Sequence, residues 1–183
     1  MVISTALLVR ERGARATSID DVLDHSGAPR GSVYHHFPGG RQELLREAID
    51  YAGEFVAARI ERATDPLEML DMLLHDYREQ LVRSDFRAGC PVVAVAIEAG
   101  DPESDLHQHA SAAFGRWQGL LEQRLVAQGV NASRATELAV LVIASIEGAI
   151  VMARTRRDAE PLDNVHRQLR ALLRAEISEG SAE

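Results

Sequence analysis

The sequence predicts an all-α fold of about nine helices, and three observations carry that expectation. Apolar residues recur at steps of three and four through most of the 183 residues. No pair of alternating segments joined by a hairpin turn interrupts them. Stops such as Gly13, Ser26-Gly27, Thr64-Asp65-Pro66 and Gly129 divide the apolar stretches into helix-sized pieces.

Taken in order, residues 2–12 pattern as a helix with Ile3, Ala6, Leu7 and Val9 apolar, ended at Gly13. Thr17 or Ser18 supplies the next N-cap, with Asp20 or Asp21 as an imperfect capping box, and Ile19, Val22 and Leu23 form the buried face. Gly27 suits a tight left-handed turn and Pro29 the first turn of a following helix, expected from Pro29 to His35. Arg41 to Ala63 is a long amphipathic helix carrying Leu44, Leu45, Ala48, Ile49, Ala52, Phe55, Val56 and Ile60. Pro66 to Val82 makes another stripe, and Phe86 to Pro91 breaks it. Val92 to Ala99 has strand-like β-branched content, but its alanines and helical neighbours favour a helix, closed by Gly100-Asp101-Pro102. Ser104 to Gln128 is helical up to Gly129, Leu138 to Ala153 is the most apolar run, and a last helix opens at Pro161 and reaches Ile177.

The chemistry gathers in Thr17 to Leu45. On the second short helix Val33 and Phe37 fall on one side, while Gly31, Ser32, Tyr34 and His35 point the other way with Arg30 at the boundary. A glycine inside a helix costs about 1 kcal/mol against alanine, a penalty that makes sense where backbone must approach something large, such as a DNA major groove. Arg30 could read guanine edges or clamp phosphate, Ser32 could reach either, and Tyr34, His35, His36 and Arg41 could bond phosphate oxygens. Spacing alone is equally compatible with a surface helical hairpin whose polar groups are merely solvated.

The run GAPRGSVYHHFPGGRQELL resembles the signature of the TetR/AcrR family of transcriptional regulators, in which a small residue, a Tyr, a His and Phe-Pro follow the helix-turn-helix glycine in this order. The likeness spans about Ile3 to Ala52. Pro38-Gly39-Gly40-Arg41, one residue longer than the common form, and Gly89-Cys90-Pro91 resemble the LmrA/YxaF-like branch. Arg41 stands where the family usually has Lys, and the basic arm that often precedes the first helix is nearly absent before Ile3. By position, the resemblance implies backbone contacts from Thr17, Tyr34, His36 and Arg41. It places Arg30, Gly31 and Ser32 at the bases, with His35 as a further contact. It also implies a homodimer on double-stranded operator DNA and a ligand cavity in the C-terminal part. Planar aromatic compounds are the first effectors to try.

Composition narrows the classes. The chain is 46% hydrophobic, enough for a substantial core, and its net charge of −8 argues against nucleic-acid binding driven by bulk charge. Residues 1–50 carry six Arg against seven acids, so most of the negative charge belongs to the rest. All 20 basic residues are Arg. The single cysteine, Cys90, permits no internal disulfide and fits a reducing cytoplasm, and the N-terminal MVISTALLVRERG lacks the basic and long apolar regions of a signal peptide. Cys90 reads as a packed turn cysteine before a redox thiol. His107 and His109 lie two apart on a helix and cannot share a metal; with Asp101, Glu103 and Asp105 they make a hydrophilic helix start, and no metal or cofactor is expected. Neither a phosphate-cradling glycine loop nor a nucleophile elbow is present, so an enzyme is not expected.

Residues 1–45 are therefore expected to form a helix-turn-helix DNA-binding domain, and residues 46–183 a ligand-binding and dimerisation domain. Leu138–Ala153 is short for a membrane span and carries Glu147 near its middle, so burial between helices is expected. Together with the last helix it would form a four-helix interface between two chains. Ile146, Ile150, Leu162, Val165, Leu169, Leu172 and Leu173 are its expected members, and a monomeric core hairpin is the alternative. Leu74, Tyr77, Val93, Ile97, Phe114, Trp117, Leu121, Ile143 and Glu147 come from different helices and could converge on a mostly apolar cavity; for each alone, plain core packing is the more ordinary reading. The reading that follows is a ligand-responsive regulator, in all expectation a repressor, binding a palindromic operator and released by a small apolar effector. The alternative is a helical ligand-binding or scaffold protein without specific operator binding.

Overall fold

The computed structural model describes residues 1–98 and 105–180, and among these it contains nine α-helices and no strand. The helices are α1 (Val2–Arg12), α2 (Ile19–Ser26), α3 (Ser32–His36), α4 (Gly40–Arg62), α5 (Pro66–Arg83), α6 (Pro91–Glu98), α7 (Asp105–Ala127), α8 (Ala132–Arg156) and α9 (Glu160–Gly180). Val92 onward is helical, as its alanines suggested. The expected stop at Gly100-Asp101-Pro102, and Asp101 and Glu103 with it, lie outside the described residues.

The chain gathers into two compact units. One comprises Met1–Phe55 with Arg87–Phe114, the other Val56–Phe86 with Gly115–Glu183. This grouping differs from a cut at residue 45, because α6 and the start of α7 pack with the N-terminal helices. Val92 and Val95 of α6 are buried, Arg15 donates to Glu98, Arg46 pairs with Asp105 at 2.7 Å and His109 meets Asp50 at 2.6 Å.

In the first unit, α1 buries Ser4, Thr5, Ala6 and Val9, whereas Ile3, expected on the apolar face, is 55% exposed. The buried Thr5 hydroxyl donates to the Met1 carbonyl, which is how a polar residue is accommodated there. Ser18 caps α2 through a complete capping box: its hydroxyl accepts from Asp21 N, and the Asp21 carboxylate accepts from Ser18 N at 2.9 Å. The Ser18 hydroxyl also donates to the Asp21 carboxylate, and that bond first, then the one from Ser18 N, holds the Asp21 carboxyl below its usual value. Gly27 ends α2 in the left-handed conformation at φ 69°. α3 starts at Ser32, three residues later than expected, because a tight turn closed by Ser32 N on the Pro29 carbonyl occupies Pro29–Gly31. Gly31 is thus the residue before the helix and not part of its interior.

In the second unit, α5 packs on α9, and α8 packs on both. Asp65 caps α5 by accepting from Leu67 N and Glu68 N, with Pro66 in the first turn. α8 begins six residues before the expected Leu138, at an Asn131 cap that accepts from Ser133 N. Among the described residues α8 is the one helix long and apolar enough, by length and composition, to cross a membrane. Here its Leu138, Ala139, Val142, Ile146, Ala149 and Ile150 are buried in the helical packing. Arg134 of α8 donates to Glu176 of α9, which lowers the Glu176 carboxyl and raises the guanidinium.

Candidate nucleic-acid interface and effector recess

The polar face foreseen on α3 is present. Val33 is fully buried and holds the helix to the unit, while Arg30, Gly31, Tyr34, His35 and His36 are exposed, Tyr34 by 66%. Ser32 is half-buried, and its hydroxyl donates to the Pro29 carbonyl at 2.6 Å. The rings of His35 and His36 meet edge to face at 4.9 Å. Gly31 has an ordinary right-handed backbone, φ −72° and ψ −14°, and a Cβ placed there would meet nothing within 4 Å. Neither conformation nor internal packing therefore demands glycine, which leaves room for an external surface to come close.

Two members of the expected contact set have other work. Thr17 is only 1% exposed, and its hydroxyl donates to the Gly13 carbonyl at 2.8 Å. It locks the α1–α2 loop instead of facing outward. Arg41 is half-buried; its Nε donates to the Thr17 carbonyl at 2.8 Å and an Nη to the Ala14 carbonyl. The guanidinium fork straps the start of α4 to that same loop. Other arginines of this unit also have partners: Arg12 pairs with Asp21 at 3.1 Å and Arg30 with Asp20 at 3.4 Å, the latter pair well exposed. Arg30 is thus the guanidinium best placed to exchange its partner for a phosphate or a base edge.

A second site lies within the other unit. Tyr77, Trp117, Leu121, Ile143 and Glu147, five of the nine residues expected to line a cavity, converge on one open recess. Leu74 is buried but does not line it. Val93, Ile97 and Phe114 belong to the first unit, and Ile97 is 74% exposed. The rest of the wall, Val56, Ile60, Met69, Leu73, Val142 and Ile146, was legible only as core, since lining and core residues share the same helical stripe. Glu147 is the one carboxylate in this wall, and its Oε2 is buried.

The residues expected to form a dimer interface are covered within the chain to different degrees. Ile146, Ile150, Leu162, Leu169 and Leu173 are buried by the chain itself, and Val165 and Leu172 are half-buried. Area already covered within a chain cannot be covered again by a partner. The exposed stripe of α8 is a different one: Val140, Leu141, Ala144, Gly148, Val151 and Met152, spaced three and four apart, with the four large members 46–50% exposed. Near-continuous apolarity gave the sequence no means of distinguishing the two faces.

Among the described residues no group of three side chains is arranged to hold a metal ion. Cys90 is buried.

Comparison with known proteins bears on both sites. Residues 4–48 match the family described as bacterial regulatory proteins, tetR family, and residues 53–168 match the C-terminal domain of LmrA/YxaF-like transcriptional regulators. An uncharacterized HTH-type transcriptional regulator of Mycobacterium tuberculosis is 59% identical, over 99% of this chain and 96% of its own length. The HTH-type transcriptional regulator LmrA of Bacillus subtilis is 32% identical over 85% of each chain. Among solved structures, a TetR regulatory protein from Rhodobacter sphaeroides superposes with a TM-score of 0.79 at 24% identity, covering 93% of this chain and 95% of that one. A TetR regulator from Legionella pneumophila gives 0.81 at 19% identity, covering 92% of each.

Proposed function

The chain belongs to the TetR family of bacterial regulatory proteins, in its LmrA/YxaF-like branch, and is a DNA-binding transcriptional regulator and not an enzyme; from that premise we propose that it acts in the cytoplasm as a homodimeric repressor. In this reading two copies of α3 enter successive major grooves of a palindromic operator, and a small apolar effector in the recess releases them. The observation that carries the DNA half is Gly31, a glycine that the fold itself does not require, set in an exposed face of Arg30, Tyr34, His35 and His36. Arg30 reads base edges, while Tyr34 and His36 bond phosphates. Arg41 and Thr17 contribute by holding the loop before α2 in place.

The exposed stripe of α8 supports the dimer, because apolar side chains at this spacing on one helix offer a self-complementary strip to a second copy. The release half rests on helix continuity. Val56 and Ile60 line the recess and lie on α4, the same unbroken helix that carries Leu44 and Leu45 in the core of the DNA-reading unit. An effector favours whichever conformation it binds better, and a coupling of about 1–3 kcal/mol changes operator affinity about 5- to 150-fold.

The test is a selection of bound sequences from random duplex DNA, followed by Gly31→Ala and Arg30→Ala. Gly31→Ala should leave the melting temperature close to that of the wild type, since the backbone there is right-handed and a Cβ meets nothing within 4 Å, yet weaken operator binding. Arg30→Ala should relax preference at one position of each half-site, costing about 1–3 kcal/mol. Recovery of no preferred sequence would refute the operator-binding role, and full binding by Gly31→Ala would refute the close approach at Gly31.

A further inference from the structure

We infer that Gly53 is the residue through which filling of the recess reaches the DNA-reading helices: its contact with Ala113 is the fulcrum on which α4 and α7 turn against each other. The inference rests on the effector-release reading above and assigns the point at which that site acts. Before this contact the two helices are joined by Arg46 to Asp105 at 2.7 Å and by Asp50 to His109 at 2.6 Å, so the pairs climb in step, a turn at a time, to Gly53 and Ala113. Beyond it each helix runs on into the recess wall, α4 at Val56 and Ile60 and α7 at Trp117 and Leu121, about one and two turns further along.

Gly53 is buried, and a Cβ built on it would lie 3.0 Å from the Cβ and 3.8 Å from the Cα of Ala113. Carbon atoms rest about 3.5–4.0 Å apart. The Ala113 Cβ is fixed by its own backbone and cannot swing aside, so a side chain at position 53 would drive the two helices apart by about 0.5–1 Å. The glycines inside α7 and α8 differ: at Gly115, Gly119 and Gly148 a Cβ would meet nothing within 4 Å. Alanine is the better helix former at all of these positions, so glycine at 53 weakens α4 as a helix and keeps it in direct contact with α7. The recess gives that contact its meaning. Its free volume is about 30 Å³, whereas one water needs about 10–15 Å³, so an organic effector enters only by parting the wall. Packed interiors compress little and pass the displacement on. Two helices that touch closely at one crossing open on one side by turning about it, and the turn shifts the stretch before the crossing, where Leu44 and Leu45 sit in the core of the DNA-reading unit. A Cβ at residue 53 opens the same crossing from within and stands in for the effector.

The test measures affinity for the duplex selected above, with the melting temperature as the check on folding. Gly53→Ala should weaken operator binding about tenfold, inside the range of about 5- to 150-fold for such couplings. Ala113→Gly in the same chain removes the opposing Cβ and should restore it. Gly115→Ala, at a helical glycine with open space, should leave binding unchanged. Ile143→Phe puts a ring into the recess as a built-in occupant; it should weaken binding about as much as Gly53→Ala does, and by less than about twofold once Ala113→Gly gives the crossing slack. Where Ile143→Phe melts far below the wild type, 4-phenylbutanol on the otherwise unchanged chain supplies the occupant, and quenching of Trp117, the sole tryptophan, reports that it is bound. Wild-type operator affinity in Gly53→Ala overturns the inference. So does weakening that Ala113→Gly fails to restore, or a response to the filled recess that Ala113→Gly leaves intact; each of these leaves effector release itself standing. Operator affinity indifferent to a filled recess overturns effector release and the fulcrum with it, as does absence of Trp117 quenching at millimolar 4-phenylbutanol. A selection that returns no preferred duplex overturns the operator-binding reading, on which both depend.

Discussion

Gly13→Ala is the substitution whose cost can be built up most directly from the geometry. Gly13 closes α1 at φ 88° and ψ 164°, a region that residues with a Cβ scarcely enter. Holding alanine there costs about 1–3 kcal/mol. A Cβ would also lie 1.8 Å from Oε1 and 2.9 Å from Cδ of Glu98. The carboxylate is the free end of a flexible side chain, so it swings away, and what is lost is its grip on the loop: Arg15 N donates to Oε2 at 2.7 Å. A hydrogen bond to a charged group contributes about 1.5–3 kcal/mol; exposure brings this one down to about 1 kcal/mol. The sum is about 2–4 kcal/mol, and at about 2–4 °C per kcal/mol for a chain of this size the melting temperature should fall by about 4–16 °C. The assay is a double-mutant cycle with Glu98→Ala, followed by thermal melting. Once the carboxylate is absent, Gly13→Ala should cost only its backbone part, leaving a coupling of about 1 kcal/mol. Additivity within about 0.5 kcal/mol would show that the two residues do not share the loop, and an unchanged melt for Gly13→Ala would refute the strain argument as well.

Three further outcomes are expected. Asp20→Asn removes the exposed partner of Arg30, so binding to unrelated duplex DNA at low salt should strengthen a few-fold, an effect that fades as salt rises; retardation or anisotropy titrations at several salt concentrations would measure it, and unchanged binding would mean the pair does not compete with DNA. Leu141→Glu, on the exposed stripe of α8, should give folded monomers in sedimentation, whereas Ile150→Glu, buried by the chain itself, should unfold it; the reverse pattern would restore the interface first expected from the sequence. Asp21, Glu68 and Asp71 have carboxyl values below the ordinary one. Hydrogen bonds from Ser18 and from Thr64 cause the first two; for Asp71 burial works upward but is outweighed by Arg170 and His166. A carboxyl lowered by folding contributes stability above its unfolded value and loses it as pH falls through the folded one. Melting temperature should therefore begin to fall near pH 4 and continue below it, with a shallower decline in Asp21→Asn, and an identical acid limb in that variant would count against the capping box as its source.

What the sequence disclosed follows from the range of the interactions. Helix periodicity is local, so the stripe Leu44, Leu45, Ala48, Ile49 marked α4, and Ser18 with Asp21 marked the start of α2. Tyr34 and His35 were legible as outward-facing because Val33 and Phe37 fall on the other side of the helix. Arg41 and Glu98 were not legible in their real roles. Their partners, Ala14 and Thr17 for one and Arg15 for the other, lie between 24 and 83 residues away, and nothing local marks a long polar side chain as a strap. The recess shows the same limit: residues on several helices become a wall only through packing, which is why Val93, Ile97 and Phe114 were grouped with it and Val56 and Ile60 were not.

The exposed stripe of α8 also bears on dose. If, as proposed, a second copy covers the strip of Val140, Leu141, Val151 and Met152, the population of paired chains rises as the square of total concentration where pairing is incomplete. Operator occupancy then responds to the amount of protein with a threshold, with no added contact at the DNA. A cell making few copies would leave its operators open, and a modest increase in synthesis would close them. On that reading the small residues Ala144 and Gly148 at the centre of the strip would set the threshold, since enlarging either would push two copies apart and move the same response to a higher protein level.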